Sequence, residues 1–330
     1  MVKKSEEILK IDSIKQFAEI LGYSHSSIIF IATNYNYDSF KIKKKSGGYR
    51  TILVPDAKHK IIQRRINDIL QDVYKNIDPG CVYGFNNSQP ESIKANAKNH
   101  VNKKSLLNID IKDFFPSITS AMLKDMFMQK PFNYPEKLAT LISMLSTYKN
   151  SLPTGAPSSP IISNFVFLST DKKLLKLANK YNLTYTRYAD DLSFSTDTEF
   201  SEEIISEITK IINQFGFELN HKKFRIQNYY NRQTVTGITV NEKVNINRKY
   251  IRNIRAILHN IESKGLVIAS KRYYNLLEPD SNDIQKFILS IRGKIEFIGF
   301  IRGENDKIYN NLSKHFYSFY EYDTYYDYPF

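Results

Sequence analysis

The sequence predicts an α+β fold, with an antiparallel sheet set among helices and a helical domain after it. Three observations carry this prediction. Strand-like and helix-like segments alternate, but without the regular spacing of a doubly wound parallel sheet. A Ser-Gly-Gly turn divides the alternating halves of "FKIKKKSGGYRTILV" (40–54), which marks a hairpin. Residues 241–330 read mostly as helix.

Taken in order, residues 5–21 place Ile8, Leu9, Ile11, Ile14, Phe17 and Leu21 near helical spacing and predict an amphipathic helix. After the hairpin, Ile61, Ile62, Ile66, Ile69, Leu70 and Val73 form the apolar face of a helix over 57–77. "SLLNIDI" (105–111) reads as a buried strand, and helices are expected over 119–130 and 135–148. The loop "SLPTGAPSSP" leads into a helix over 160–181, where Pro160 suits the first turn because its missing N–H is not needed there. A strand pair brackets Asp190 and Asp191, a helix covers 201–215, short strands fall within 224–240, and a helix covers 247–263.

The chain has 330 residues, enough for two or three packed subdomains. Its 42% hydrophobic and 25% charged residues are ordinary for a globular protein. No apolar run approaches the ~18 residues that would span a bilayer. "MVKKSEEILK" carries acids where a signal peptide needs apolar residues, so a cytoplasmic location with no membrane partner is expected. Cys81 is the single cysteine, which excludes an internal disulfide and a cysteine-based zinc cluster; a small buried hydrophobe is its expected role.

Charge points to a polyanionic partner. Lys and Arg number 47 against 34 acids, a net +13. Lys41, Lys43, Lys44, Lys45, Arg50, Lys58, Lys60, Arg64 and Arg65 face one acid, Asp56. A second block, Lys243–Arg255, has five basic residues and no acid. In "NRKYIRNIRAILHNI", Arg248, Lys249, Arg252 and Arg255 fall along one side of a helix, while Ile251, Ile254, Ile257 and Leu258 form the other. A solvated face or a surface that tracks a phosphate backbone would each suit this pattern.

The stretch "TRYADDLSFS" (186–195) places two carboxylates side by side in a strand-forming context, where they repel and neither favours a strand. By itself an Asp-Asp pair also suits a turn or a helix cap. At a hairpin tip, however, both side chains can project to one end of a sheet. "LLNIDIKDFFPSI" supplies Asp110 at the end of an apolar strand. Asp110, Asp190 and Asp191 brought together would suit hard divalent cations with oxygen ligands, as in two-metal phosphoryl transfer.

With these residues in view, "TRYADDLSFS", "NIDIKDFFPSI" and "LPTGAPSSPIISN" resemble the palm of reverse transcriptases, closest to the bacterial, group II intron-like branch. "NAKNH" (96–100) and "VTG" (235–237) resemble motifs of retron reverse transcriptases. Each motif is short, and their joint occurrence in order is the specific signal. The resemblance implies a right-hand polymerase fold: fingers over 1–105, palm over 106–240 with a fingers segment near 120–150, and a thumb with an aromatic tail over 241–330. It implies an RNA-directed DNA polymerase that copies a cognate non-coding RNA of msr-msd type from a guanosine 2′-hydroxyl into a branched RNA–DNA product. It also implies antiphage defence alongside a separate effector protein. Two other readings stand beside it, a non-retron bacterial reverse transcriptase of intron or abortive-infection type and a non-catalytic RNA-binding scaffold of palm shape.

The resemblance assigns residues as well. Asp110, Asp190 and Asp191 would be catalytic and would hold two Mg²⁺ (or Mn²⁺), with the Ile111 carbonyl nearby. Arg50 would meet the triphosphate of the incoming dNTP, Phe115 its sugar, and Lys222 the pyrophosphate, with Thr154 and Gly155 in the nucleotide loop. Thr154 stands where many relatives carry a longer Gln. Val235, Thr236 and Gly237 would grip the primer end. Asn96 and His100 are expected in a retron-type insertion, in contact with RNA or, for His100, in a structural role. Arg248, Lys249, Arg252 and Arg255 would contact RNA. The tail Phe316–Phe330 has nine aromatic residues of fifteen, three acids and no base; a packing surface suits it better than a phosphate site.

Overall fold

The structure, a computed structural model, describes residues 6–44, 47–88 and 92–321. Lys45 of the first basic cluster, the chain start and the tail beyond Glu321 lie outside the described residues. The chain forms two units, residues 1–231 and 232–330. The first takes in the expected fingers and the expected palm up to residue 231, and the last nine residues of that palm, 232–240, fall in the second.

In the first unit the expected N-terminal helix is interrupted. Residues 6–8 make one helical turn, and a new helix, Ile14–Ile20, starts at Ser13. The Ser13 hydroxyl accepts from the Gln16 N–H, and the Gln16 side chain accepts from the Asp12 N–H. This capping competes with continuous helix and wins. The hairpin forms as β1 (Tyr37–Lys43) and β2 (Tyr49–Pro55), and a helix Ala57–Tyr74 follows, capped by Asp56.

The sheet that organises this unit is four-stranded and antiparallel. Its strands are β3 (Ser105–Asp110), β4 (Thr184–Tyr188), β5 (Asp191–Thr196) and β6 (Arg225–Asn228), in the order β4-β5-β3-β6. Leu107, Ile109, Tyr185, Leu192 and Phe194 are all buried. The helix Ser159–Lys180 packs on β4 and brings Phe165, Phe167 and Leu174 into the same core. Helices Ser120–Met128, Glu136–Ser146 and Glu202–Gln214 complete the unit.

The other face of the sheet carries Thr186, Ser193 and Ser195, alternation that would ordinarily face water. Here it is covered. The helix Ser92–Lys98 packs near β4 and leads to His100. The two ring nitrogens of His100 lie 2.7 Å from the Ser195 and Thr186 hydroxyls. Asn96 is 1% exposed and His100 0%, so neither side chain has an edge at the surface: the RNA contact expected of Asn96 is corrected, and of the two roles left open for His100 burial favours the structural one. Burial, then the Lys103 charge, pushes the His100 imidazole down to about 3.

In the second unit, β7 (Thr234–Val235) and β8 (Ile238–Thr239) form a small hairpin before three helices, Arg248–Tyr274, Ser281–Arg302 and Lys307–Glu321. Ile251, Ile254 and Leu258 are buried while Arg248, Lys249, Arg252 and Arg255 are exposed, so the first helix has the two faces its sequence predicts. It runs past the expected end at 263 to Tyr274, interrupted by the non-helical Gly265. Among the described residues no helix is long and apolar enough to cross a membrane.

The folded protein keeps His100 neutral where the unfolded chain protonates it. Its contribution to stability is therefore complete above pH 6.5 and is lost as pH falls from there toward 3. The expected slope is about 1.4 kcal/mol per pH unit within that window. His100→Gln keeps an amide in place of the titrating ring. Its thermal stability should fall less steeply than that of the parent between pH 6.5 and 4.5.

Candidate active site

Asp110 ends β3 and Asp191 begins β5, and the two residues are directly paired across the strands. Asp190 precedes Asp191 in the two-residue turn Ala189–Asp190 that links β4 to β5, where Tyr188 pairs with Asp191. Ala189 has φ 58°, while Asp190 is not among the positive-φ residues, the sign pattern of a type II′ hairpin turn. Glycine is the usual residue at that first position. The Ile111 N–H donates to the Asp190 carbonyl at 3.0 Å, tying the turn to the end of β3. The structure thus brings the three predicted aspartates together at one end of the sheet.

Asp110 is buried, Asp190 half-buried and Asp191 open to solvent on one side. Asp110 is held from both oxygens. Lys223 Nζ donates to one at 2.6 Å, and Asn220 Nδ2 donates to the other at 3.1 Å. The Asn220 N–H also donates to the Asp110 carbonyl at 2.8 Å. Loss of hydration, then the charges of Asp190 and Asp110, pushes the Asp191 carboxyl up to about 7, with Lys223 opposing. Burial, then Asp110, raises Asp190, while Lys223 and Arg50 oppose the rise. Partial burial works against the Lys223 charge, but its bond to Asp110 and the three carboxylates raise its affinity for the proton overall.

The cluster therefore carries more negative charge than one ammonium offsets. This donor chemistry, three clustered carboxylates of which Asp190 and Asp191 hold their protons more tightly than usual, fits hard divalent cations. Among the described residues no group of three His, Cys, Asp or Glu side chains forms a ready-made ion cage.

Other predicted residues fall as follows. Arg50 is exposed on β2, near enough for its charge to act on Asp190. The Thr154 carbonyl accepts from the Leu53 N–H of the same strand at 2.8 Å. Gly155 has φ 119°, and a Cβ there would come within 2.7 Å of the Leu53 carbonyl oxygen, so only glycine allows this approach of loop to hairpin. Phe115 is half-buried, its ring centroid 5.9 Å from Phe85 and 5.7 Å from Phe114. Val235 is buried, and Thr236 (φ 48°) and Gly237 (φ 84°) form the turn between β7 and β8 in the second unit.

Lys222 is exposed, and the lysine that reaches the carboxylates is its neighbour Lys223. The two adjoin on the 3₁₀ turn His221–Lys223, where successive side chains point about 120° apart, so a one-residue difference redirects the charge. Sequence reasoning also missed Asn220, whose only signal is its place in "LNHKKF", and Gly84, Asn164, Asp171 and Arg187, which lie beneath the turn.

Residues 42–288 match the family model described as "Reverse transcriptase (RNA-dependent DNA polymerase)". The retron Mx65 reverse transcriptase of Myxococcus xanthus is 35% identical over 243 residues, covering 68% of this chain and 56% of that protein. The retron Mx162 reverse transcriptase of the same organism is 31% identical over 299 residues, covering 78% and 60%. The retron Ec86 reverse transcriptase of Escherichia coli is 32% identical over 244 residues, covering 71% and 72%. This chain belongs to the reverse transcriptase family, in its retron branch. It spans less than two thirds of the length of the two Myxococcus relatives.

Removing the Lys223 ammonium leaves the carboxylates less neutralised. In Lys223→Met, Asp190 and Asp191 should titrate at higher pH than in the parent, whereas Lys222→Met should leave both nearly unchanged. Carbon-13 NMR of aspartate-labelled protein reads each carboxyl directly.

Proposed function

We propose that this chain is the RNA-directed DNA polymerase of a retron, joining deoxynucleotides to a primer hydroxyl on an RNA template. The observation that carries the reading is the register of β3 and β5, which sets Asp110 opposite Asp191 with Asp190 in the adjoining turn. Two Mg²⁺ ions, or Mn²⁺ in their place, held by Asp110, Asp190, Asp191 and the Ile111 carbonyl, would supply activation of the attacking hydroxyl and neutralisation of the leaving pyrophosphate.

The chain's own residues do the rest. Arg50 offers a planar cationic fork to the triphosphate. Thr154 and Gly155 brace the strand that carries Arg50. Phe115, its ring tilted against that of Phe85, crowds the position of a 2′-hydroxyl and favours deoxyribose. Lys223, with Lys222 beside it, places positive charge next to Asp110 for the departing pyrophosphate. The turn Val235–Gly237 grips the primer end, and Arg248, Lys249, Arg252 and Arg255 follow the RNA backbone as part of a thumb. The template is a cognate structured RNA of msr-msd type, primed from a 2′-hydroxyl to give a branched RNA–DNA product. The setting is antiphage defence with a separate effector protein.

Primer extension on an RNA template is expected from the purified protein with Mg²⁺ and dNTPs. Asp190→Ala and Asp191→Ala should each reduce it to background while RNA binding persists; undiminished synthesis by either would end the catalytic reading. Phe115→Val should lower discrimination against ribonucleotides about ten- to a hundredfold, measured as the ratio of kcat/KM for dNTP and rNTP.

A further inference from the structure

A buried charged network lies directly beneath the turn that carries Asp190. Arg187 on β4 and Asp171 on the helix Ser159–Lys180 are both 0% exposed. The guanidinium grips the carboxylate through Nη2 at 2.6 Å and Nε at 2.9 Å, and the Tyr185 hydroxyl donates to the same carboxylate at 2.7 Å. The remaining arm, Nη1, donates to two acceptors at 3.1 Å, the Asn164 side-chain oxygen and the Ala189 carbonyl. Asn164 in turn donates to the Gly84 carbonyl at 3.0 Å and the Phe85 carbonyl at 3.3 Å. Gly84 itself presses on the turn, since a Cβ at that position would lie 2.4 Å from the Ala189 nitrogen.

Burying such an ion pair is a poor way to gain stability, because desolvation offsets most of the attraction. Its arrangement here has a different consequence. Ala189 holds a left-handed backbone that residues other than glycine rarely adopt unless their surroundings impose it. One fork of Arg187 is anchored on Asp171, and the other holds the carbonyl of that strained residue. The segment Cys81–Gly84 runs alongside β4 into the turn, pinned by the Tyr83 N–H on the Arg187 carbonyl at 2.8 Å and the Arg187 N–H on the Cys81 carbonyl at 2.8 Å. The same Asn164 secures Phe85, the ring beside Phe115.

We propose that Arg187, anchored by Asp171 and Asn164, is a positioning residue for nucleotide addition: it clamps the Ala189 carbonyl and so holds Asp190 and Asp191 in the conformation that faces Asp110. This rests on reading the three aspartates as the polymerase centre.

The test is single-nucleotide addition to a primer on an RNA template, with kcat and dNTP KM resolved and with template–primer binding and melting temperature measured alongside. The double variant Arg187→Met/Asp171→Leu removes both charges, so neither is left buried alone. Gly84→Ala keeps the ion pair and intrudes on Ala189 instead. Each should fold and bind template–primer like the parent, and each should lose about a hundredfold in kcat with little change in KM, as expected when reacting groups are displaced by about 1 Å. Parental kcat in either variant overturns the proposal. So does a kcat loss that only follows a loss of folded protein or template binding, or a double variant that does not fold, since these assign Arg187 to core packing. A parent protein that extends no primer is a different failure, that of the catalytic reading itself.

Discussion

Two like charges stand opposite each other where β3 meets β5, and a third lies in the turn just before β5. Placing Asp110 across from Asp191 is unfavourable on any ordinary sheet, where facing charges of one sign destabilise the pair. Burial first, and then the neighbouring carboxylates, pushes Asp191 up to about 7 and raises Asp190 as well. Much of the first unit is arranged so that this juxtaposition survives. Lys223 and Asn220 hold Asp110, the Ile111 N–H holds the Asp190 carbonyl, and Arg187 holds the Ala189 carbonyl.

The two faces of the sheet meet this demand by different means. On one, aromatic and aliphatic side chains of β3, β4 and β5 pack with the helix Ser159–Lys180, and the Arg187–Asp171 pair is enclosed among them with the guanidinium over the Phe167 ring. On the other, hydroxyls from β4 and β5 meet the neutral ring of His100. A polar strand face usually means water. Here an added helix and one histidine replace the water over the hydroxyls of β4 and β5, so these two strands are covered on both sides. Strands fixed from both faces give little freedom to the turn at their end, which suits a site that must hold several carboxylates in register.

Much of this was legible from local pattern. The hairpin of β1 and β2 follows from alternation around a Gly-rich turn, and the helix Ala57–Tyr74 from a regular apolar stripe. The aspartates were legible as a set because each sits at a strand end within a motif. The helix expected over 5–21 broke because Ser13 and Gln16 cap a new start, a signal present in the chain but outweighed by apolar spacing. Asn96 and His100 were placed in a retron-type insertion by resemblance alone, with RNA contact or, for His100, a structural role left open; the hydroxyls that bury His100 lie 86 and 95 residues further along the chain, so local pattern could not choose between them.

By itself the sequence determined most of the strands and helices, the turn bearing Asp190 and the two faces of the helix that begins at Arg248. These are periodic or strictly local, and neighbouring residues impose them through sterics and burial. Only the tertiary structure decided which lysine serves Asp110, what lies behind the polar face of β5, and that Arg187 bridges a helix to the turn bearing Asp190. Each of these joins residues far apart in the chain. Hydrogen-bond partners across such distances depend on how whole elements dock, and spacing along the chain carries no record of that.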